Sequence, residues 1–225
     1  MFPTSLRGSL IVSCQAPPGD PLDSVDTLTR IAVSVVRGGA GGLRGNGAAC
    51  IAAFRQHVQV PIIGIEKRRI GEMVSITPDF ASAKSVAAAG ADIIALDCTT
   101  SRAPAAESWR ELISRIHAEI GKPVLADIAS FEEALAAERA GADAVATTMY
   151  GFTPETAQFR SVNWKLVDLL ARELHIPVIV EGHISHPDEV ARALSLGAYG
   201  VVVGSAITRP ESITARFAKA LHLDS

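Results

Sequence analysis

The chain has 225 residues, of which 48% are hydrophobic and 20% are charged. This is the balance of an ordinary globular protein, and it excludes a disordered or collagen-like chain. The formal net charge is −3, and the basic residues form no block or stripe, so the sequence does not indicate a nucleic-acid-binding protein. A chain of this length fits one large domain, and we predict a single domain over residues 1–225.

The apolar runs of the sequence are too short for a membrane protein, since a spanning helix needs roughly 20 apolar residues. The N-terminal run, Leu10–Val12, is also too short for the core of a signal peptide. The three cysteines, Cys14, Cys50 and Cys98, are odd in number and form no CxxC pair. Disulfides are therefore not expected, and we expect a soluble cytoplasmic protein with no membrane partner.

Short, β-branched apolar segments alternate with segments rich in Ala, Leu, Arg and Glu. The apolar segments are typical of strands buried on both faces. The predicted strands are, in chain order, Leu10–Val12, Gly42–Leu43, Pro61–Ile65, Asp92–Leu96, Pro123–Ile128, Ala144–Thr148, Pro177–Val180 and Gly200–Val203. The clearest predicted helices are Ser108–Ile120, Phe131–Ala140, Trp164–Leu174 and Pro187–Leu196. Crossovers of this length imply parallel strands.

A repeated junction supports this reading. Ala88–Asp92 recurs as Arg139–Asp143 and again as Ser195–Tyr199, each time with a glycine that can end a helix before an apolar strand begins. Strands at this spacing, roughly 25–30 residues per βα unit, occupy the whole chain. We predict an α/β protein with a (β/α)8 TIM barrel rather than an open doubly wound sheet.

In a (β/α)8 barrel the chemistry lies at the carboxyl ends of the strands. Polar residues occupy these positions in most of the predicted units, and they are Gln15, Arg44, Lys67, Asp97, Asp127, Thr147, Thr148 and Glu181. The set contains no His-x-His and no spaced Cys/His pattern, so we expect neither a metal nor a cofactor. His183 and His186 follow the same strand and lack a third ligand.

Lys67 and Glu181 are the strongest catalytic candidates. Each comes directly after a buried strand, where desolvation favours a neutral amine and a reactive carboxyl group. The alternatives are a surface lysine paired with Glu66 and a structural ion pair at Glu181. Asp127 and Asp97 fit the same positions, but an aspartate at a strand end often caps the next helix, and Asp97 fits that role better.

The loops after the last two strands have the character of a phosphate site. Gly182 and Gly204 would allow backbone N–H groups to approach a phosphate, while Ser205 adds a hydroxyl and Arg209 a guanidinium. Barrels that bind phosphorylated ligands frequently use these two loops. The alternative is that the glycines serve only the geometry of the turns.

Two further features have weaker interpretations. Met149–Asn163 is a long connection after the sixth strand. The sequence favours neither of two interpretations, a lid that covers the substrate or a connection without a functional role. Cys14 and Cys98 reach the same mouth, but free cysteines are mostly small buried hydrophobic residues, so a nucleophile is not predicted.

Several stretches of the sequence resemble a known family. Gly8–Ala16, Gly42–Gly47 and Ile63–Arg68 are similar to the N-acylglucosamine-6-phosphate 2-epimerases, which are the N-acetylmannosamine-6-phosphate epimerases of bacterial sialic acid catabolism. The similarity covers nearly the whole chain and continues at Ile76–Pro78, Ala91–Asp97, Ala126–Ile128, Glu181–Gly182 and Val203–Pro210. It implies a phosphate-binding TIM barrel that interconverts N-acetylmannosamine 6-phosphate and N-acetylglucosamine 6-phosphate.

The resemblance also implies roles for individual residues. It assigns catalysis to Lys67 and Glu181 and contacts with the sugar to Gln15, Arg44 and Asp127. The residues that would surround the phosphate are Gly182, Gly204, Ser205 and Arg209. The chain departs from the family pattern at His183, where Arg or Lys is usual, at Gly45, where Ala is usual, and in the stretch 148–153.

Epimerisation at C2 needs the open-chain aldehyde, in which the C2 proton is acidic. We predict that neutral Lys67 removes this proton while Glu181 assists ring opening or proton transfer. Two other functions stay open, a Schiff-base aldolase using Lys67 and a sugar-phosphate sensor without turnover. The expected partner is a small sugar phosphate, and the exposed barrel faces leave a homodimer open.

Overall fold

The computed structural model describes residues 1–104 and 106–222. Its strands are β1 (Ser9–Cys14), β2 (Gly42–Asn46), β3 (Ile62–Ile65), β4 (Lys67–Ile70), β5 (Met73–Ile76), β6 (Ile93–Asp97), β7 (Val124–Asp127), β8 (Ala144–Ala146), β9 (Val178–Glu181) and β10 (Gly200–Val203). Its helices are α1 (Val25–Arg37), α2 (Ala48–His57), α3 (Phe80–Ala88), α4 (Trp109–Arg115), α5 (Phe131–Arg139), α6 (Trp164–Glu173), α7 (Pro187–Ser195), α8 (Ser205–Thr208) and α9 (Pro210–Lys219). Within these residues, no helix combines the length and the apolar character needed to cross a bilayer.

Eight parallel strands close into a barrel in the order β1-β10-β9-β8-β7-β6-β3-β2. Helices connect the successive strands, so the predicted (β/α)8 barrel is confirmed. Several helices begin at side chains that accept a hydrogen bond from the first turn, as Ser24 does for α1 and Asp79 for α3. A capping box of Ser130 and Glu133 starts α5.

Side chains alternate between the barrel interior and the layer of helices, as the two-residue period of a strand requires. The interior is filled by a buried apolar cluster, which includes Ile11, Ile63, Ile93, Leu125, Ile179 and Val202. Phe2 and Leu6 join this cluster from the N-terminal segment, and Leu6 lies against Gly42 at the start of β2. The barrel is therefore packed along its length and closed at the amino ends of its strands, which leaves the carboxyl ends to form a site.

Three local predictions were wrong in detail. The residues after β3 form an antiparallel hairpin of β4 and β5 outside the barrel sheet, where a simple loop was expected. The strand predicted to reach Thr148 ends at Ala146, and Thr147–Met149 forms a 3₁₀ turn. The helix predicted over Ser108–Ile120 is α4 followed by a π-helical turn at Ile116–Ile120.

Candidate active site

The carboxyl ends of the barrel strands bring three charged side chains to one mouth. Arg44 lies in the inward row of β2, while Asp127 ends that of β7 and Glu181 that of β9. Arg44 and Asp127 are 1% and 0% exposed, and Glu181 is 12% exposed. The sequence-based expectation that these residues converge is met by the geometry, and their place directly above the apolar interior makes the mouth a region of low dielectric constant.

Arg44 lies at the centre of this cluster. Its Nη1 and Nη2 atoms donate to the two carboxylate oxygens of Asp127 at 2.9 and 2.6 Å. Nη1 also donates to Oε2 of Glu181 at 2.6 Å. The hydroxyl of Thr148 donates to Oδ1 of Asp127 at 2.6 Å and lies 3.1 Å from Oε2 of Glu181. The guanidinium and the hydroxyl together fix both carboxylates in one arrangement.

The pKa values of the two partners reflect this arrangement. Burial works against the charge of Arg44, but the ion pairs and hydrogen bonds with Asp127 and Glu181 raise the pKa of Arg44 above its usual value. Burial raises the pKa of Glu181, and so does the negative charge of Asp127. Arg44, Thr148 and Lys67 lower this pKa, but the net shift is upward. Glu181 is thus more readily protonated than an ordinary glutamate, which suits a group that gives and takes protons.

Lys67 lies at the edge of the mouth, where it is the first residue of β4. Its backbone N–H donates to Oδ1 of Asn46 at 2.8 Å, which ties the start of the hairpin to the end of β2. The side chain is accessible to solvent, but protein atoms crowd its amine, and this desolvation lowers the pKa of Lys67. The positive charge of Arg44 lowers it further, while Glu181 and Asp127 oppose the shift.

Lys67 and Glu181 therefore have pKa values displaced toward each other. A lysine with a lowered pKa is a competent base, and a glutamate with a raised pKa is a competent acid. With Arg44 and Asp127 neutralising one another, the site carries no net charge whether the proton is on Lys67 or on Glu181. Little electrostatic reorganisation then opposes proton movement between the two groups and a ligand.

The predicted phosphate residues follow the neighbouring strands β9 and β10, in which Glu181 pairs with Val202. Gly182 has φ of +97°, a left-handed conformation that favours glycine. Gly204 is the N-cap of α8, and Ser205 is its exposed first residue. Because β9 and β10 are neighbours, Gly182, Gly204 and Ser205 lie on adjacent loops of the mouth.

Arg209 has a partner that the sequence did not predict. Its Nη2 atom lies 2.8 Å from Oδ2 of Asp20, which belongs to the connection between β1 and α1. The pair links the end of α8 to the first barrel loop and is mostly shielded from solvent. A role for Arg209 at a phosphate stays a prediction, with its guanidinium oriented by Asp20.

Gln15 follows β1 and is half-buried. Its Nε2 donates to the hydroxyl of Ser13 at 2.8 Å, while its Oε1 is buried without a hydrogen-bond partner among residues 1–104 and 106–222. A buried amide oxygen without a donor is costly, so this atom is suited to accept a hydrogen bond from a ligand.

The prediction that Cys14 and Cys98 reach the mouth was wrong. Cys14 and Cys98 lie in the apolar layer between strands and helices. Burial raises the pKa of the Cys14 thiol to about 12 and that of the Cys98 thiol well above its usual value. Thiolates are the reactive form of cysteine, so these residues are chemically inert, in agreement with the sequence-based interpretation.

The segment Met149–Asn163 packs over the loop that follows β9. Tyr150 stacks on Phe159 with ring centroids 5.4 Å apart, and Phe152 stacks on His183 at 5.5 Å. The ring of His183, which has φ of +59°, also approaches the carbonyl of Tyr150 through Nε2 at 3.1 Å. These contacts place the segment beside the mouth, and a lid role stays a prediction.

Thr148 is a further residue of the candidate site. The sequence places it among the strand ends but does not predict a role for it. The usable signal was the alternation of inward residues along the sixth unit, since Ala144 and Ala146 face the interior and Thr148 is next in the series. A hydroxyl at that position shares the mouth with Asp127 and Glu181.

Over residues 28–223 the chain matches the family model described as “Putative N-acetylmannosamine-6-phosphate epimerase”. The chain belongs to this epimerase family. A member from Thermosynechococcus vestitus is 50% identical over 206 residues, which is 91% of this chain and 90% of that protein. A member from Clostridium perfringens is 41% identical over 213 residues, covering 94% of this chain and 96% of that protein.

A solved structure belongs to the same epimerase family. It is the N-acetylmannosamine-6-phosphate 2-epimerase from Clostridium perfringens, with a TM-score of 0.91 at 40% identity over 96% of this chain and 94% of that one. A thiamine phosphate pyrophosphorylase from Pyrococcus furiosus shares the fold, with a TM-score of 0.61 at 20% identity. The family resemblance identified in the sequence is confirmed.

Proposed function

We propose that this protein interconverts N-acetylmannosamine 6-phosphate and N-acetylglucosamine 6-phosphate by removing and returning the proton at C2. The observation that carries the proposal is the mouth formed by Lys67, Glu181, Arg44 and Asp127. There the pKa of the base is lowered and that of the acid is raised. We place the reaction in amino sugar breakdown, which agrees with the resemblance to the epimerases of bacterial sialic acid catabolism.

The sugar must first open, because C2 becomes acidic only beside the C1 aldehyde. Opening breaks the bond between C1 and the ring oxygen, places a proton on that oxygen and removes one from the C1 hydroxyl. Protonated Glu181 donates the first proton, and the resulting carboxylate accepts the second. The raised pKa of Glu181 makes its protonated form more accessible than that of an ordinary glutamate.

Neutral Lys67 then removes the C2 proton. The electrons of the C2–H bond form a C1–C2 double bond, and the aldehyde oxygen becomes an enolate oxygen. The positive charge of Arg44, held in place by Asp127, stabilises this oxygen. Glu181, protonated again at the end of ring opening, gives its proton to the opposite face of C2. The proton on Lys67 then passes to Glu181, and ring closure completes the epimerisation.

The remaining residues hold the substrate. The free Oε1 of Gln15 accepts a hydrogen bond from the N-acetyl N–H or a sugar hydroxyl. Gly182, Gly204, Ser205 and Arg209 surround the phosphate, whose binding orients C2 at the other end of the sugar. The phosphate thus contributes to catalysis by positioning rather than by chemistry.

The test is a proton NMR time course of N-acetylmannosamine 6-phosphate with the protein in D2O. We expect the gluco epimer to appear with deuterium at C2, while N-acetylmannosamine without phosphate reacts far more slowly. Epimer without deuterium would support the epimerase but would require a shielded proton. No epimer, with the sugar phosphate still bound, would contradict the proposal and favour a sensor.

A Schiff-base aldolase is separated by a second measurement on the same mixture. Borohydride reduces an imine to a stable adduct, and an epimerase of the kind proposed forms none. Mass spectrometry of the treated protein is therefore expected to show unmodified Lys67, and a sugar adduct on Lys67 would contradict the proposed role of the amine.

A further inference from the structure

Arg102 makes an unusual set of hydrogen bonds in the connection after β6. Its guanidinium donates to backbone carbonyl groups alone, which are those of Ile76 at 3.4 Å, Thr77 at 3.0 Å, Pro78 at 2.9 Å, Asp97 at 2.6 Å and Glu107 at 3.2 Å. In the described part of the chain it forms no ion pair with a carboxylate. A half-buried guanidinium used this way joins chain segments rather than neutralising a charge.

The carbonyls belong to three separate segments. Ile76, Thr77 and Pro78 end β5 and follow it, Asp97 ends the barrel strand β6, and Glu107 closes the connection to α4. Ile76 is the residue that pairs with Lys67 across the β4–β5 hairpin. Arg102 is thus a direct link between the barrel rim and the partner strand of the catalytic lysine.

The hairpin depends on such links because little of it is buried. Lys67, Arg68 and Arg69 are exposed, as are Met73 and Val74 on the other strand. Only Ser75 and Ile76 at its base lie in the interior. A two-stranded hairpin without a covered apolar face has little stability of its own, so its orientation follows from the contacts at its base.

Thr77 shows that this base is held against local preference. It has φ of +48°, which is costly for a β-branched residue, and it is fully buried. Its hydroxyl donates to the carbonyl of Ala95 at 2.6 Å and accepts from the N–H of Glu66 at 3.3 Å. The N–H of Thr77 donates to the carbonyl of Glu66 at 2.8 Å, so this turn touches the residue directly before Lys67.

We propose that Arg102 is a positioning residue that fastens the β4–β5 hairpin to the end of β6 and thereby holds the amine of Lys67 over the barrel mouth. The proposal deepens the proposed function and rests on it for its catalytic meaning. Its structural content, the place of the lysine amine, can be measured without any substrate.

The reporter is the amine of Lys67 itself. The charged groups that face it are Arg44 of β2, Asp127 of β7 and Glu181 of β9, and crowding by the mouth lowers its pKa. When the hairpin loosens, the amine moves into water, and its pKa rises toward the ordinary lysine value of 10.5. A rise of about one unit makes the neutral fraction near pH 7 about tenfold smaller.

Arg55 provides a matched control at the opposite end of the barrel. Its guanidinium also donates to three carbonyls, those of Val58, Val60 and Gly90, and pairs with Asp92. Substitution of this residue by lysine removes a comparable set of bonds far from the hairpin. It therefore separates a general loss of stability from a displacement of Lys67.

The experiment compares wild type, Arg102→Lys and Arg55→Lys. Short pulses of acetic anhydride across a pH series, read by peptide mass spectrometry, give the titration midpoint of Lys67, with exposed Lys84 as the internal reference for reagent. We expect the midpoint to rise in R102K and to stay at the wild-type value in R55K. With N-acetylmannosamine 6-phosphate, kcat near pH 7 falls in R102K by the same factor as the neutral fraction of Lys67, about tenfold for each unit of rise, and KM stays within about twofold.

The proposal is overturned if the Lys67 midpoint is unchanged in R102K or moves equally in R55K. If R102K does not fold, Thr77→Val removes the hydroxyl bonds at the same base while Arg102 stays in place. T77V is then expected to raise the midpoint, and an unchanged midpoint overturns the proposal. If wild type does not epimerise the sugar, the proposed function fails while the acylation result still decides the role of Arg102.

Discussion

The guanidinium of Arg44 binds both carboxylate oxygens of Asp127 inside the barrel mouth, at 2.9 and 2.6 Å. Neither side chain is more than 1% exposed. Such a pair contributes little net stability compared with apolar residues, because both charges lose their hydration. Its consequence lies elsewhere, since it holds a permanent positive charge next to Glu181 and within reach of the charge on Lys67.

The first prediction concerns removal of one partner of this pair. Asp127→Ala leaves the buried guanidinium of Arg44 with only one of its two carboxylate partners, that of Glu181. We therefore expect the free energy of unfolding to fall by about 3–5 kcal/mol. Urea denaturation followed by circular dichroism measures this change. The control is Asp26→Ala, which breaks an exposed ion pair with Arg30 and is expected to cost no more than about 0.5 kcal/mol. Equal losses in the two variants would contradict the buried-pair interpretation.

The second prediction separates catalysis from folding at Lys67. Lys67→Ala is expected to reduce deuterium exchange at C2 of the substrate by about 10²–10⁴-fold, because the amine that takes the proton is removed. The melting temperature is expected to stay close to that of wild type, since the side chain is exposed. Lys84→Ala, on the exposed side of α3, is the matched control and should retain full exchange. Exchange at the wild-type rate in K67A would remove Lys67 from the mechanism.

The third prediction follows from the sign of the interaction between Glu181 and Lys67. The negative charge of Glu181 raises the pKa of Lys67 against the lowering caused by burial and Arg44. Glu181→Gln removes that charge, so the titration midpoint of Lys67 is expected to move to lower pH, and the neutral amine then persists into more acidic solution. Pulse acylation of Lys67 measures the midpoint without requiring turnover.

Glu66→Gln is the control for this titration. Glu66 is the residue before Lys67 in the chain, yet it is not among the groups that shift the Lys67 pKa. The E66Q midpoint is therefore expected to equal that of wild type. A midpoint that rises in E181Q, or that moves as far in E66Q, would refute the assigned electrostatic coupling.

The fourth prediction concerns Gly45, which lies against the ring of Phe54. A Cβ atom at this position would lie 2.9 Å from Cε2 of Phe54 and 3.2 Å from its Cδ2. Gly45→Ala is expected to destabilise the protein by about 1–3 kcal/mol through overpacking. A double-mutant cycle with Phe54→Leu checks the cause, because the smaller side chain makes room for the methyl group. Additive losses in the cycle would show that Phe54 is not the obstacle.

Most barrel strands were predictable because they are buried on both faces and are therefore short, continuous apolar runs. The exception is β2, in which Arg44 and Asn46 interrupt the apolar pattern. The β4–β5 hairpin was missed for the opposite reason. Its first strand, Lys67–Ile70, is almost entirely polar and exposed, and nothing in its composition distinguishes it from a loop. Its existence depends on contacts at its base with Thr77 and Arg102, which lie farther along the chain.

The candidate site divides in the same way. The sequence was sufficient to find Arg44, Lys67, Asp127 and Glu181. Each of them lies at or just after the end of an apolar run, and the parallel topology brings such ends together. The hydrogen-bond and ion-pair partners of the site residues could not be predicted from the sequence. Arg209 pairs with Asp20, and Thr148 bridges two acids, through distances set only when the barrel closes.

The sequence by itself determined the family, the barrel and the residue types at its mouth, since hydrophobic periodicity and strand-end chemistry are local properties of the chain. The tertiary structure alone decided which guanidinium neutralises which carboxylate, in which direction each pKa moves, and how the lysine is held at the rim. The physical reason is that burial and Coulomb interactions depend on distances between segments remote in sequence.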